Sequence, residues 1–134
     1  STESVIWELH IPYDAVVASS IAHSITITIL WTALAAGAGD VVWRLDYKSV
    51  VSSLDTGFTV GNVQTASSTG QYVPVWTLFP ALTTLPAIES PSGVGLANVL
   101  KNYIKVLRIG GDAADTFASD AGLAGLLVEY LADM

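Results

Sequence analysis

From Ala15 to Gly39 the chain runs for 25 residues without a formal charge, AVVASSIAHSITITILWTALAAGAG. A stretch of that length could cross a bilayer as a helix. Its inner pattern points elsewhere. Ile21, His23, Ile25, Ile27, Ile29 and Trp31 share one parity, while Ser20, Ser24, Thr26, Thr28 and Thr32 fall mainly on the other. Period-two alternation of β-branched residues marks a strand with one buried face, and a lipid-facing helix has no use for it. The pattern predicts a strand over Ile21–Ala33 and no membrane insertion.

The same period recurs along the chain. Val5, Trp7, Leu9 and Ile11 alternate with Glu8 and His10 up to Pro12, and Val41, Trp43, Leu45 and Tyr47 alternate with Arg44, Asp46 and Lys48. Ala35–Asp40 is rich in turn residues, so the strands before and after it are expected to pair as an antiparallel hairpin. A short strand at Gly57–Val60 precedes the polar stretch Gly61–Gln71, which lacks a hydrophobic period and reads as an exposed loop. Tyr72–Phe79 is a further strand, with Pro74 placing it at an edge or a bulge. Pro80–Ser92, with three prolines, reads as irregular. Leu96, Val99, Leu100, Tyr103, Ile104 and Leu107 also fit a helical stripe with Gly110 as its cap, but the β-branched and aromatic run Tyr103–Ile109 favours a strand. Leu123–Leu131 is the last strand. Seven or eight short strands without alternating helices predict one all-β domain over residues 1–134, an antiparallel β-sandwich of jelly-roll type.

Composition narrows the partners. Of the 134 residues 51% are hydrophobic and 13% charged, with five basic residues against twelve acidic ones and a net charge of −7. A small domain has much surface to cover with polar groups, so this composition predicts a homo-oligomer that buries apolar surface between copies. Nucleic acid needs clusters of Lys and Arg, and none is present. There is no cysteine, hence no disulfide, thiolate nucleophile or zinc–sulfur site. The start, STESVIWELH, lacks the basic and apolar regions of a signal peptide, and a chain beginning at Ser1 is read as processed, or as the C-terminal domain of a longer protein.

No constellation points to catalysis. His10 and His23 have no neighbours at ligand spacing, no G-x-S-x-G elbow occurs, and GVGLAN lacks the third glycine of a dinucleotide fingerprint. Tyr72 and Trp76 share a parity beside the polar stretch and are candidates for stacking on a sugar ring. The alternative is that Trp76 fills the core with Trp7, Trp31 and Trp43. Asp112, Asp115 and Asp120 are candidate metal ligands, but their spacing is not that of a calcium loop, which places ligands at alternate positions and closes with Glu. Together with Thr116 they fit a structural turn, in which Asp and Thr oxygens accept from nearby backbone N–H groups. No cofactor is expected.

One resemblance adds to these readings. The segment LRIGGDAADTFASDAGLAGLLVEY, the opening WELHIPYDAV and the tryptophan-bearing runs ILWTAL and VVWRLDY resemble virion structural proteins of tailed phages, found also among marine viral sequences. That family usually has Tyr where Phe117 stands, so any hydrogen bond from that hydroxyl is absent here. The resemblance covers about half the chain and leaves residues 55–100 unmatched. It implies a non-enzymatic jelly-roll module on the virion surface: a fibre head, knob or decoration domain acting in attachment or assembly. A three-fold homo-oligomer, contacts with other virion proteins and a host-surface glycan as ligand follow as expectations. The alternative is a carbohydrate-binding jelly-roll module of an extracellular protein.

Overall fold

A computed structural model of the chain describes residues 4–9, 25–50, 57–80 and 101–129. Its elements are all strands: β1 (Ser4–Leu9), β2 (Thr26–Ala33), β3 (Asp40–Val50), β4 (Thr59–Ser67), β5 (Pro74–Leu78), β6 (Lys101–Arg108) and β7 (Ala121–Glu129). They form two antiparallel sheets, ordered β1-β6-β3-β4 and β5-β2-β7. This is an all-β antiparallel sandwich. Among the described residues no helix is long and apolar enough to cross a membrane.

The parity read from the sequence sets the core. Ile25, Ile27, Ile29, Trp31 and Ala33 point inward from one sheet, and Val41, Trp43, Leu45, Ile104 and Val106 point inward from the other. Trp31 meets Trp43 across the interior at 5.8 Å between ring centroids, tilted by 55°, within the range that aromatic pairs prefer. The indole N–H of Trp31 donates to the Thr77 hydroxyl at 2.9 Å. Threonine therefore serves on the inward row of β5, where the sequence alone offers no reason for a polar residue.

The structure revises several expectations. β2 and β3 are not a hairpin, since they lie in different sheets and residues 34–39 carry the chain from one sheet to the other. Two strands with one apolar face each can bury those faces by stacking as readily as by lying side by side, and here they stack. Gly37 and Gly39 make the crossing possible with φ of 141° and 152°. A Cβ on Gly39 would stand 2.8 Å from the Cα of Phe117. The polar run after Val60 is a strand as far as Ser67, hydrogen-bonded to β3. It lies at a sheet edge and is half-exposed on both faces, so no hydrophobic period marks it. Of the segment with both helical and strand character, Lys101–Arg108 is strand β6, while Leu96, Val99 and Leu100 lie outside the described residues, and β7 begins two residues before Leu123. β5, with Pro74 first, is an edge strand, as its proline implied. Trp76 is not in the core; it is 59% exposed. His10, His23 and the proline-rich segment lie outside the described residues.

A bulge in the β3–β4 ladder between Leu45 and Tyr47 carries the buried Asp46. Its carboxylate accepts two hydrogen bonds from Arg44, at 2.8 and 2.9 Å, and one from the Gly61 N–H at 3.2 Å. A Cβ on Gly61 would stand 2.1 Å from the Leu45 carbonyl oxygen, a clash with backbone that no rotamer relieves. Gly61→Ala is expected to destabilise the fold by about 1–3 kcal/mol, the usual cost of forced overpacking. The check is urea unfolding followed by tryptophan fluorescence, with Gly57→Ala, where a Cβ meets nothing within 4 Å, as the control.

Candidate functional site

The candidate site is the corner between β6 and β7. Arg108, the last residue of β6, pairs with Trp43 in the ladder and so points inward with it. A guanidinium at the mouth of an apolar core must be paired, because burying a bare charge is prohibitive. Arg108 donates through Nε and Nη2 to both oxygens of Asp115, through Nη2 also to the Phe117 carbonyl, and through Nη1 to the Ser119 carbonyl at 2.6 Å. Side-chain exposure is 14% for Arg108 and 2% for Asp115. The chain from Ile109 to Ser119 is thus wrapped around one guanidinium.

The corner also extends the sheet beyond the last ladder pair of β3 and β6. The Val42 carbonyl accepts from the Ile109 N–H, and the Val42 N–H donates to Asp115 Oδ2 at 3.0 Å. One step further, the Asp40 N–H donates to the Thr116 hydroxyl at 2.9 Å, while the Asp40 carbonyl accepts from the N–H groups of Thr116 and Phe117. Asp115 and Thr116 act as side-chain substitutes for a strand. The backbone groups of β3 that their side chains hold lie more than 70 residues away, where the sequence had suggested neighbours within the turn. Only Asp112 makes the local bond, accepting from the Ala114 N–H at 2.8 Å. Phe117 then enters the core at 4% exposure, a place where a ring without a hydroxyl needs no acceptor. The Asp120 carbonyl accepts from Leu34 N–H at 2.9 Å, while its side chain stays exposed.

Burial works to raise the Asp115 pKa, but the hydrogen bonds from Arg108 and Val42 and the guanidinium charge outweigh it, so the carboxyl titrates below its ordinary 3.8. Asp112, Asp115 and Asp120 do not converge: among the described residues no three His, Cys, Asp or Glu side chains are grouped to hold a metal ion. Beside the clasp a cleft of about 500 Å³ opens, walled by Ser4, Val5, Trp43, Ser119, Gly122 and Leu123. The Trp43 indole N–H has no acceptor, alone among the buried side-chain polar atoms of the described residues.

The second candidate pair, Tyr72 and Trp76, is exposed but does not share a strand. Trp76 projects from the outer face of β5, whereas Tyr72 precedes that strand with a left-handed φ of 59° and is 67% exposed. The parity argument that joined them does not hold, because Tyr72 is outside the strand. No family model, curated protein or solved structure matches the chain.

Two outcomes test the clasp. Asp115→Ala takes the carboxylate away from Arg108 and from the Val42 N–H while the Phe117 and Ser119 carbonyls remain, and should cost about 1–3 kcal/mol, equally with calcium or with chelator. Calorimetric melting in both conditions checks this. Stability should also depend on acid in a defined direction. The unfolded chain protonates Asp115 at a higher pH than the folded chain does, so the contribution is complete above about pH 4 to 5 and is lost as pH falls through the folded-state value. Urea unfolding between pH 7 and pH 3 should show Asp115→Asn with a shallower loss over the acid limb than the unaltered chain.

Proposed function

We propose that this chain is a non-enzymatic structural module of a tailed-phage virion, a homo-oligomeric sandwich of jelly-roll type displayed as a fibre head, knob or decoration domain. The observation that carries this reading is how the corner spends its charged groups. Arg108, Asp115 and Thr116 belong to the segment that resembles virion proteins, and every one of them holds backbone: β3, the corner itself, or each other. The guanidinium and carboxylate are paired with each other, and the Thr116 hydroxyl beside them accepts from the Asp40 N–H, an arrangement that supports an architectural role. Such a sandwich works by rigidity, presenting one face or end to a host surface or glycan while another binds the virion or its sister subunits. The decisive experiment is to sequence the genes on either side of this one. Portal, capsid or tail genes are expected, and neighbours confined to secreted glycan-degrading enzymes would overturn the reading.

A second reading, a carbohydrate-binding module, is favoured by Trp76 alone, since an indole exposed on a rigid strand can stack on a sugar ring. It predicts glycan binding, read by array and by titration calorimetry, that falls at least tenfold in Trp76→Ala with no change in melting temperature.

A further inference from the structure

The two outer faces of the sandwich differ in kind. The basic residues belong to the four-stranded sheet: Arg44, Lys48, Lys101, Lys105 and Arg108 lie on β3 and β6, and of these Arg108 is on the inward row. The outer face of β5-β2-β7 carries almost no charge. Its ladder partners form uncharged rows: Leu78, Thr28 and Leu127 in one, then Trp76, Leu30 and Gly125, then Pro74, Thr32 and Gly122. Among the described residues its one charged member is Glu129, opposite Thr26 at the far end. Trp76, Leu78 and Leu127 are 59%, 57% and 46% exposed. A flat sheet face with leucines and a tryptophan but no lysine, arginine or aspartate is not what water selects.

The relief of this face is self-complementary. On the β5 side Trp76 stands up as a knob. On the β7 side, in the same row, Gly125 has no side chain and leaves a hollow bordered by Leu30, which an added Cβ would meet at 3.6 Å. Knob and hollow are separated by the single strand β2, about 10 Å at two strand spacings. A two-fold axis lying between two such faces and running parallel to β2 carries the β5 of each copy over the β7 of the other. Each Trp76 then stands over the partner's hollow at Gly125, as an isologous contact requires. We infer that the outer face of β5-β2-β7 binds a second copy of this chain, face to face about this two-fold axis, with Trp76 seated at Gly125.

The size of the face sets the strength. The five ladder rows of β5 and β2, carried across to β7, cover about 15 by 17 Å at ordinary strand spacing and rise. That footprint is smaller than the roughly 800 Å² per partner of a standard interface, so the dimer is a weak one, with a dissociation constant on the order of 100 μM. The inference is independent of the virion reading. A sandwich of any origin could pair this way, and gene neighbours do not bear on it.

Sedimentation equilibrium of the full chain from about 1 to 200 μM tests it. A monomer–dimer equilibrium is expected for the unaltered chain, with the dissociation constant raised at least tenfold by Trp76→Ser and by Gly125→Arg. The far-ultraviolet spectrum of both variants should be unchanged, since both positions face solvent in the single chain. If Gly125→Arg fails to fold, Leu127→Lys takes its place. A monomer at 200 μM overturns the proposal, as does a trimer or any oligomer indifferent to Trp76→Ser. So does a monomer whose Trp76 fluorescence shifts on adding soluble oligosaccharide, because the indole then serves a sugar.

Discussion

The placement of one guanidinium governs one end of this sandwich. Arg108 closes β6 on the inward row, beside Trp43, where a charge cannot be left alone. Asp115 and the carbonyls of Phe117 and Ser119 must come to it, so the corner folds back over the mouth of the core. That fold brings the Asp115 carboxylate to the Val42 N–H and Thr116 to Asp40, which satisfies the start of β3 where β6 has already ended. It also delivers Phe117 into the core and starts β7 on the far sheet. Break the pair and the orphaned polar groups of β3, the plug at Phe117 and the entry to β7 lose their common anchor.

At the centre, the contact between Trp31 and Trp43 does the complementary work of registering one sheet on the other. Trp31 is held by the Thr77 hydroxyl, which ties β2 to the edge strand β5. Trp43 instead lies on the wall of the cleft beside the corner clasp, and among the described residues its N–H meets no protein acceptor.

Charge is partitioned between the faces. With every basic residue on β3 and β6, the four-stranded sheet can pair its charges internally, as Arg44 and Asp46 do across the bulge. Apart from Glu129 at its far end, the outer face of the three-stranded sheet presents, among its described residues, threonine, leucine, proline, glycine and a tryptophan. Exposed apolar side chains occur on both sheets, with Ile6 and Val60 on the four-stranded one and Trp76, Leu78 and Leu127 on the three-stranded one.

The chain's alternation was enough to establish strands, an all-β class and the inward row from Ile25 to Ala33, because side chains in a strand point to opposite faces whatever lies beyond them. It also showed that Asp115 and Thr116 would serve backbone, from the hydrogen-bonding chemistry of those side chains. Local pattern carries no information on which strands share a sheet, so β2 and β3 read as a hairpin although they stack. Nor does it reveal a strand that is half-solvated on both faces, and β4 read as a loop. Tryptophan has the same letter in a core and on a surface, and only the ladder placed Trp76 outside. The partners of Asp115 and Thr116 were hidden for a related reason: Val42 and Asp40 are distant along the chain and adjacent only once Arg108 has drawn the corner in. Periodicity along the chain is a local property that residues carry with them, whereas sheet membership and long-range hydrogen bonds are decided by which buried charges and faces must be satisfied together.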